Sequence, residues 1–324
     1  MRLALLLIRI VLCLSGLAAY CQPAPEWQTL VSPLPEEEIL AACEYRMVIP
    51  GKTAAVKAAW IVFDRGRDYL QWYEDRRVRA FAEAQQLAIV LAKHCRSKER
   101  EDMIVLPEKG VGRALFTALD QLADVSGHRE LKSAGIIVLG WSGAGSLVGR
   151  LAQYRPSRYV AGIAYAPGTY DPLGMDTIEL SKEAIEHPQL VIANGGDTVN
   201  GTERPYAYFK KHFDQGAPWT FVVQNQLPHC CLQNAQSVIL EWLNGVLKGE
   251  KPTAGSSYGY LAIAQTKVVD HWKRPTFQAT LGRVGLRGKA KRGEVAAGWM
   301  PSPAFSQEWL TLVGKTRPTA IWAP

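Results

Sequence analysis

Short apolar runs alternate with stretches of helical character between about residue 43 and residue 249. The apolar runs predict strands at 45–49, 55–63, 87–92, 136–139, 159–166, 190–193 and 219–224. The intervening patterns predict helices at 75–86, 112–125, 144–154, 203–213 and 233–247. This alternation predicts an α/β fold with a mostly parallel, doubly wound sheet flanked by helices. We expect the first two strands, joined by a turn at 50–52, to be neighbours in the sheet.

The C-terminal part of the chain differs in composition. Residues 250–324, here called the extension, hold 11 Lys and Arg against 4 Asp and Glu, whereas residues 1–249 have no net charge. The pattern predicts a strand at 261–269 and a loop at the Gly-rich, basic segment 282–293. Four tryptophans leave two interpretations open, a solvated basic tail or a packed accessory segment.

The first 21 residues have the layout of a secretory signal peptide. Arg2 and Arg9 are followed by an apolar run at 10–17 and by the small residues Ala18 and Ala19. The alternative is a retained membrane helix, but the uninterrupted apolar run is shorter than the ~20 residues that a span needs. We therefore predict a secreted or periplasmic protein.

Charge and cysteine spacing exclude other classes. A body without net charge lacks the clustered cations that nucleic-acid binding needs, so only the extension is predicted to contact an anionic surface. Four cysteines follow the leader, Cys43, Cys95, Cys230 and Cys231, and an oxidising compartment allows three pairings. We favour Cys43–Cys95, because both residues lie at ends of predicted strands. No cysteine spacing is typical of a zinc site, so we expect no metal.

The strongest chemical signal is a serine between a predicted strand and a predicted helix. The strand 136–139 leads into Gly140-Trp141-Ser142-Gly143-Ala144, and a helix follows directly. This is the context of a nucleophile elbow, in which small residues let strand and helix pass closely while the serine adopts a strained backbone. The helix N-terminus also directs amide groups towards a developing oxyanion.

A base and an acid follow in the order that a serine nucleophile requires. Asp197 comes just after the strand 190–193, and His229 lies on the loop after the strand 219–224. Asp171 is the alternative acid, and His271 is the main alternative base. Four further histidines are interpreted as solvated or capping residues: His94, His128, His187 and His212.

These residues resemble the α/β-hydrolase superfamily over roughly residues 43–249. The resemblance implies a catalytic domain at 22–249, with Ser142 as nucleophile, His229 as general base and Asp197 orienting it. It also implies an oxyanion hole made by the backbone N–H of Gly143 and by that of Gly66 or Arg67. No cofactor is expected.

The expected activity is hydrolysis of small-molecule or polymeric esters. A hydrolase-fold binding protein held on an anionic envelope polymer is the alternative, and a peptidase ranks lower because no propeller-like domain precedes the body. The segment between residues 166 and 190 is too short for a large helical cap. We therefore expect an open cleft, or one closed by aromatic residues of the extension: Tyr258, Tyr260, Trp272 and Trp299. The sequence does not indicate an oligomeric state.

Overall fold

The computed structural model describes residues 25–51, 53–63, 67–98, 106–168, 178–266 and 274–314. The predicted signal peptide, residues 1–21, lies outside these ranges. Eleven strands are described: β1 Glu26–Val31, β2 Cys43–Val48, β3 Ala58–Phe63, β4 Leu87–Lys93, β5 Gly135–Trp141, β6 Tyr159–Tyr165, β7 Gln189–Asn194, β8 Thr220–Gln224, β9 Ser257–Thr266, β10 Thr276–Leu286 and β11 Glu294–Trp299. Eight α-helices accompany them: α1 Arg67–Glu74, α2 Arg76–Gln85, α3 Val111–Ser126, α4 Gly145–Tyr154, α5 Lys182–Ile185, α6 Glu203–Asp214, α7 Gln236–Leu247 and α8 Pro303–Val313.

The described strands form one sheet in the order β1-β2-β4-β3-β5-β6-β7-β8-β11-β9-β10. The six strands from β4 to β8 in this order run parallel, and the outer strands on both sides pair antiparallel. Every residue of β3, β7 and β8 is buried, as expected for parallel strands covered on both faces.

Helices cover both faces, because successive strand residues point in opposite directions. On β3, Trp60 and Val62 pack in the cluster that holds residues of α1, α2 and α7. Ile61 and Phe63 pack in the cluster that holds residues of α3 and α4. The predicted fold class, an α/β fold with a mostly parallel, doubly wound sheet flanked by helices, is therefore confirmed.

The predicted pairing of the first two body strands is wrong. β4 lies between β2 and β3, parallel to β3 and antiparallel to β2. The chain leaves β3 through α1 and α2 and returns as β4, which takes the free edge of β3. The strands β2 and β3, on either side of the turn predicted at 50–52, are thus not adjacent in the sheet.

The described part of the extension is folded and continues the sheet. β11 joins β8 at the pair Gly298–Thr220 and also pairs with β9, which pairs with β10. The indole of Trp309 on α8 is fully buried and donates to the carbonyl of Phe221 at 3.0 Å. Packing of this kind supports the packed segment over the solvated tail. The predicted domain boundary after residue 249 falls in the loop between α7 and β9. It stays a prediction.

Two expectations for the extension are wrong. Residues 282–286, predicted as loop, belong to β10. The expected closure of the cleft by aromatic residues is not seen for Tyr258, Tyr260 and Trp299, because all three are buried in the core. The ring of Tyr258, for example, packs against Phe213 near the C-terminal end of α6. Trp272 lies outside the described residues.

Among the residues that the structure describes, no helix is long and apolar enough to cross a membrane.

Candidate active site

Ser142 lies at a sharp turn between β5 and α4. Its φ is 53°, the left-handed region that a serine rarely adopts, and a short 3-10 turn over Ser142–Ala144 leads into the helix. A Cβ atom on Gly140 would come 2.2 Å from the carbonyl oxygen of Ala144. Only glycine therefore lets strand and helix cross here, and the strained turn holds the serine hydroxyl above the carboxyl edge of the sheet.

Asp197 lies just beyond β7 and is fully buried. Its Oδ1 accepts hydrogen bonds from the amides of Val199 and Asn200, both at 2.9 Å. Its Oδ2 faces the Nδ1 of His229 at 2.7 Å. Two backbone donors and the imidazole thus satisfy a carboxylate that would be costly to bury alone.

His229 lies between Asp197 and Ser142. With Nδ1–H donating to the carboxylate, its Nε2 accepts from the Ser142 hydroxyl at an Nε2–Oγ distance of 3.0 Å. The ring stacks on Trp141 with centroids 4.9 Å apart, which holds the imidazole on the side of the nucleophile. The structure thus brings together the three residues that the sequence singled out, while their catalytic roles stay predictions.

The two predicted oxyanion donors differ in how far the structure describes them. Gly143 follows Ser142 at the start of the 3-10 turn, so its amide lies at the N-terminal end of the helical segment. Gly66 lies outside the described residues, and Arg67 is the first residue of α1. The second donor stays a prediction.

A buried polar network that the sequence analysis missed supports the His229 loop. The Tyr165 hydroxyl donates to the carbonyls of Cys230 and Cys231, both at 2.8 Å, and Asn194 donates to the carbonyls of Pro228 and Cys230 at 2.8 and 3.0 Å. Gln224 donates to both Tyr165 and Asn194 at 2.9 Å. Burial raises the pKa of the Tyr165 phenol, so it remains a donor. The sequence signal that could have found this network is that three neighbouring buried strands, β6, β7 and β8, each end at a residue with a polar side-chain group.

The cysteines form the pairs Cys43–Cys95, which the sequence favoured, and Cys230–Cys231. The second pair joins adjacent residues directly after His229. Cys231 has a φ of 72°, and its amide donates to the Oδ2 of Asp68 at 3.2 Å. The histidine loop is thus held by a covalent ring and by a carboxylate from α1.

The alternative site residues lie elsewhere. Asp171 and His271 are outside the described residues. The remaining four histidines have other contacts: His94 with Glu44, His128 with Glu130, His187 with Tyr159, and His212 with the Tyr208 carbonyl. His212 is not solvated, since its side chain is buried, and burial lowers its pKa; its ring bonds to a carbonyl within the last turns of α6.

No family model matches this chain, and no curated protein does. Similar solved structures include FphF, a fluorophosphonate-binding serine hydrolase of Staphylococcus aureus, at 10% identity over 69% of this chain and 99% of that one, with a TM-score of 0.46. An esterase of Pyrobaculum calidifontis is 14% identical over 69% and 86%, with a TM-score of 0.47. Dipeptidyl peptidase 4 of Porphyromonas gingivalis is 13% identical over 64% and 32%, with a TM-score of 0.42.

Proposed function

We propose that this protein is a serine hydrolase that cleaves carboxylic esters through an acyl-enzyme on Ser142. The observation that carries the proposal is the continuous hydrogen-bond chain from buried Asp197 through His229 to Ser142, with the serine held at a positive φ beside a helix N-terminus. A hydroxyl becomes nucleophilic only when a positioned base takes its proton, and this chain supplies one.

The proposed reaction has two steps, acylation of Ser142 and hydrolysis of the acyl-enzyme. Ser142 Oγ attacks the ester carbonyl while its proton passes to His229 Nε2, and the amide of Gly143 donates to the oxyanion. The tetrahedral intermediate collapses, and the leaving alkoxide takes the proton from His229. Water then attacks the acyl-enzyme by the same route and releases the acid. Asp197 stabilises the imidazolium in both steps, and no step needs a cofactor.

A fluorophosphonate probe and short-chain p-nitrophenyl esters test this proposal. We expect the probe to label the folded protein at Ser142, and Ser142→Ala to abolish labelling and lower kcat by roughly 10³-fold or more. Ser306→Ala is the matched control, because Ser306 lies on α8 and its hydroxyl donates to the carbonyl of Ser302 at the start of the same helix. Full esterase activity in Ser142→Ala would overturn the proposal.

The same experiment separates the alternatives. A folded wild-type protein that takes no label favours the binding protein, whereas labelling with turnover of dipeptide anilides and not of esters favours a peptidase. We propose esters because an alkoxide leaves more readily than an amine, which has to be protonated first.

We also propose that the protein is exported and contacts an anionic surface. The leader-like residues 1–21 and the pair Cys43–Cys95 support export, since disulfides persist in oxidising compartments. Four exposed cations between β10 and β11 support the contact: Arg287, Lys289, Lys291 and Arg292. N-terminal sequencing of the protein from a fractionated culture tests export, with a mature chain beginning near residue 22 as the expected result.

A further inference from the structure

One side chain of the extension forms hydrogen bonds to both loops of the proposed site. These are the acid loop, residues 195–202, which carries Asp197, and the base loop, residues 225–231, which carries His229. Gln278 lies on β10, and its amide oxygen accepts a hydrogen bond from the backbone N–H of Gln226 at 2.8 Å. Its amide nitrogen donates to the carbonyl of Gly195. Gly195 lies two residues before Asp197, and Gln226 lies three residues before His229.

The start of β10 and the residues just before it also hold each loop separately. On the acid side, the amide of Arg274 donates to the carbonyl of Thr198 at 2.9 Å, and the Thr202 hydroxyl accepts from the amide of Phe277 at 2.7 Å. On the base side, Asn225 exchanges two hydrogen bonds with the backbone of Ala279, both at 2.8 Å. The two loops also meet directly, because the backbone N–H of Gly196 donates to the carbonyl of Leu227 at 2.9 Å. Among the described residues of the extension, Gln278 is the one whose side chain bonds to both loops.

The separation of acid and base decides how well the imidazole is oriented. The Nδ1–Oδ2 bond of 2.7 Å joins two loops that follow different strands, so a change in their spacing changes this bond directly. Misplacement of a reacting group by about 1 Å can cost 10²-fold in rate. A side chain that keeps the two loops at a fixed spacing therefore keeps His229 oriented by Asp197.

We propose that Gln278 is a positioning residue that fixes the spacing between the acid and base loops of the triad. The role needs an amide, because only an amide side chain of this length both accepts from Gln226 and donates to Gly195. The proposal rests on the proposed function, since it assumes that His229 and Asp197 act together.

The test compares Gln278→Met with Gln265→Met. Methionine has a similar length and lacks both hydrogen bonds, and Gln265 is an exposed glutamine on β9 whose side chain contacts Glu203. We expect Gln278→Met to lower kcat for a p-nitrophenyl ester about tenfold and to leave KM within twofold. We also expect it to weaken or remove the low-field proton resonance of the His229 Nδ1–H. Gln265→Met should change neither quantity.

A kcat within twofold of wild type in a folded Gln278→Met protein would overturn the proposal. A loss of activity no larger than the fraction of the variant that is unfolded would overturn it as well. Should the methionine variant not fold, Gln278→Glu serves, because it retains the acceptor for Gln226 and loses the donor to Gly195, and the same loss is expected. The proton resonance needs no turnover. A wild-type protein without hydrolase activity therefore rejects the proposed function, while the resonance in the variants still decides the role of Gln278.

Discussion

Gly140 and Tyr165 show which residues of the site a sequence can reveal. The requirement for a small side chain at Gly140 follows from a local motif, and the structure explains it by the 2.2 Å approach of a Cβ atom to Ala144. Tyr165 supports the site through carbonyls 65 and 66 residues further along the chain. No spacing rule predicts such a contact, because it depends on how two strands meet in the sheet.

Tyr165 offers a test at the residue scale. Tyr165→Phe removes the acceptor of the buried Gln224 amide and one donor to the carbonyl of Cys231, so we expect a loss of about 1–3 kcal/mol in the free energy of unfolding and a several-fold lower kcat. Tyr206→Phe is the control, because its hydroxyl donates to a single carbonyl, that of Ala296, in the extension. Urea unfolding and ester hydrolysis measure both effects. Equal kcat in the two variants would contradict a role for Tyr165 at the site.

At the scale of elements, predictions succeed where burial dictates the pattern. The central strands are wholly buried and read as continuous apolar runs, and helices α2, α3, α4, α6 and α7 end within three residues of their predicted limits. The sequence pattern does not predict β1, because it is an edge strand with exposed positions. It predicts a loop for residues 282–286 of β10, because this part of the chain is rich in glycine. At Gly282 a Cβ atom would lie 2.5 Å from Val313, so glycine makes room there for α8.

The turn that joins β10 to β11 gives a prediction about pH. Arg283 donates to both carboxylate oxygens of Glu294 at 2.9 and 2.6 Å, and the amide of Lys291 donates at 2.7 Å. The hydrogen bonds from Arg283 and then from Lys291 lower the pKa of Glu294 to about 2. A pKa that is lower in the folded chain stabilises the fold above the ordinary value of 4.5, and this contribution disappears as the pH falls towards 2.

Glu294→Gln should therefore lower the free energy of unfolding at pH 7 and lower it less at pH 3. Urea titrations of wild type and variant at both values measure the change in their difference. Glu250→Gln, at an exposed position before β9, serves as the charge-matched control. A difference of the same size at pH 7 and at pH 3 would show that the ion pair does not stabilise the connection between β10 and β11.

At the scale of the molecule, the sequence separated a neutral body from a basic extension, and the structure joins them in one sheet. Both observations hold, because the exposed cations lie in the connection between β10 and β11, while the strands themselves pack against the body. The buried end of β11 pairs with β8, whereas the turn between β10 and β11 presents its cations to solvent. Composition could predict the exposed charges but not the pairing, which needs a partner edge on β8.

The basic turn predicts retention on a sulfated polysaccharide. We expect a triple variant, Lys289→Ala, Lys291→Ala and Arg292→Ala, to elute from dextran sulfate at lower salt than wild type. A second triple variant removes three exposed lysines of the body: Lys57, Lys132 and Lys182. It loses the same net charge, so net charge alone predicts equal elution of the two variants. Earlier elution of the first variant assigns the contact to the turn.

The contact between Gln278 and Gln226 spans 52 residues of chain, which has a consequence for the order in which the protein matures. Synthesis delivers the N-terminal part first. Ser142, Asp197 and His229 all exist before β10 has been made. If Gln278 positions their loops, a chain that ends before β10 contains all three proposed catalytic side chains but lacks the residue that fixes their spacing. Full activity then requires synthesis through β10.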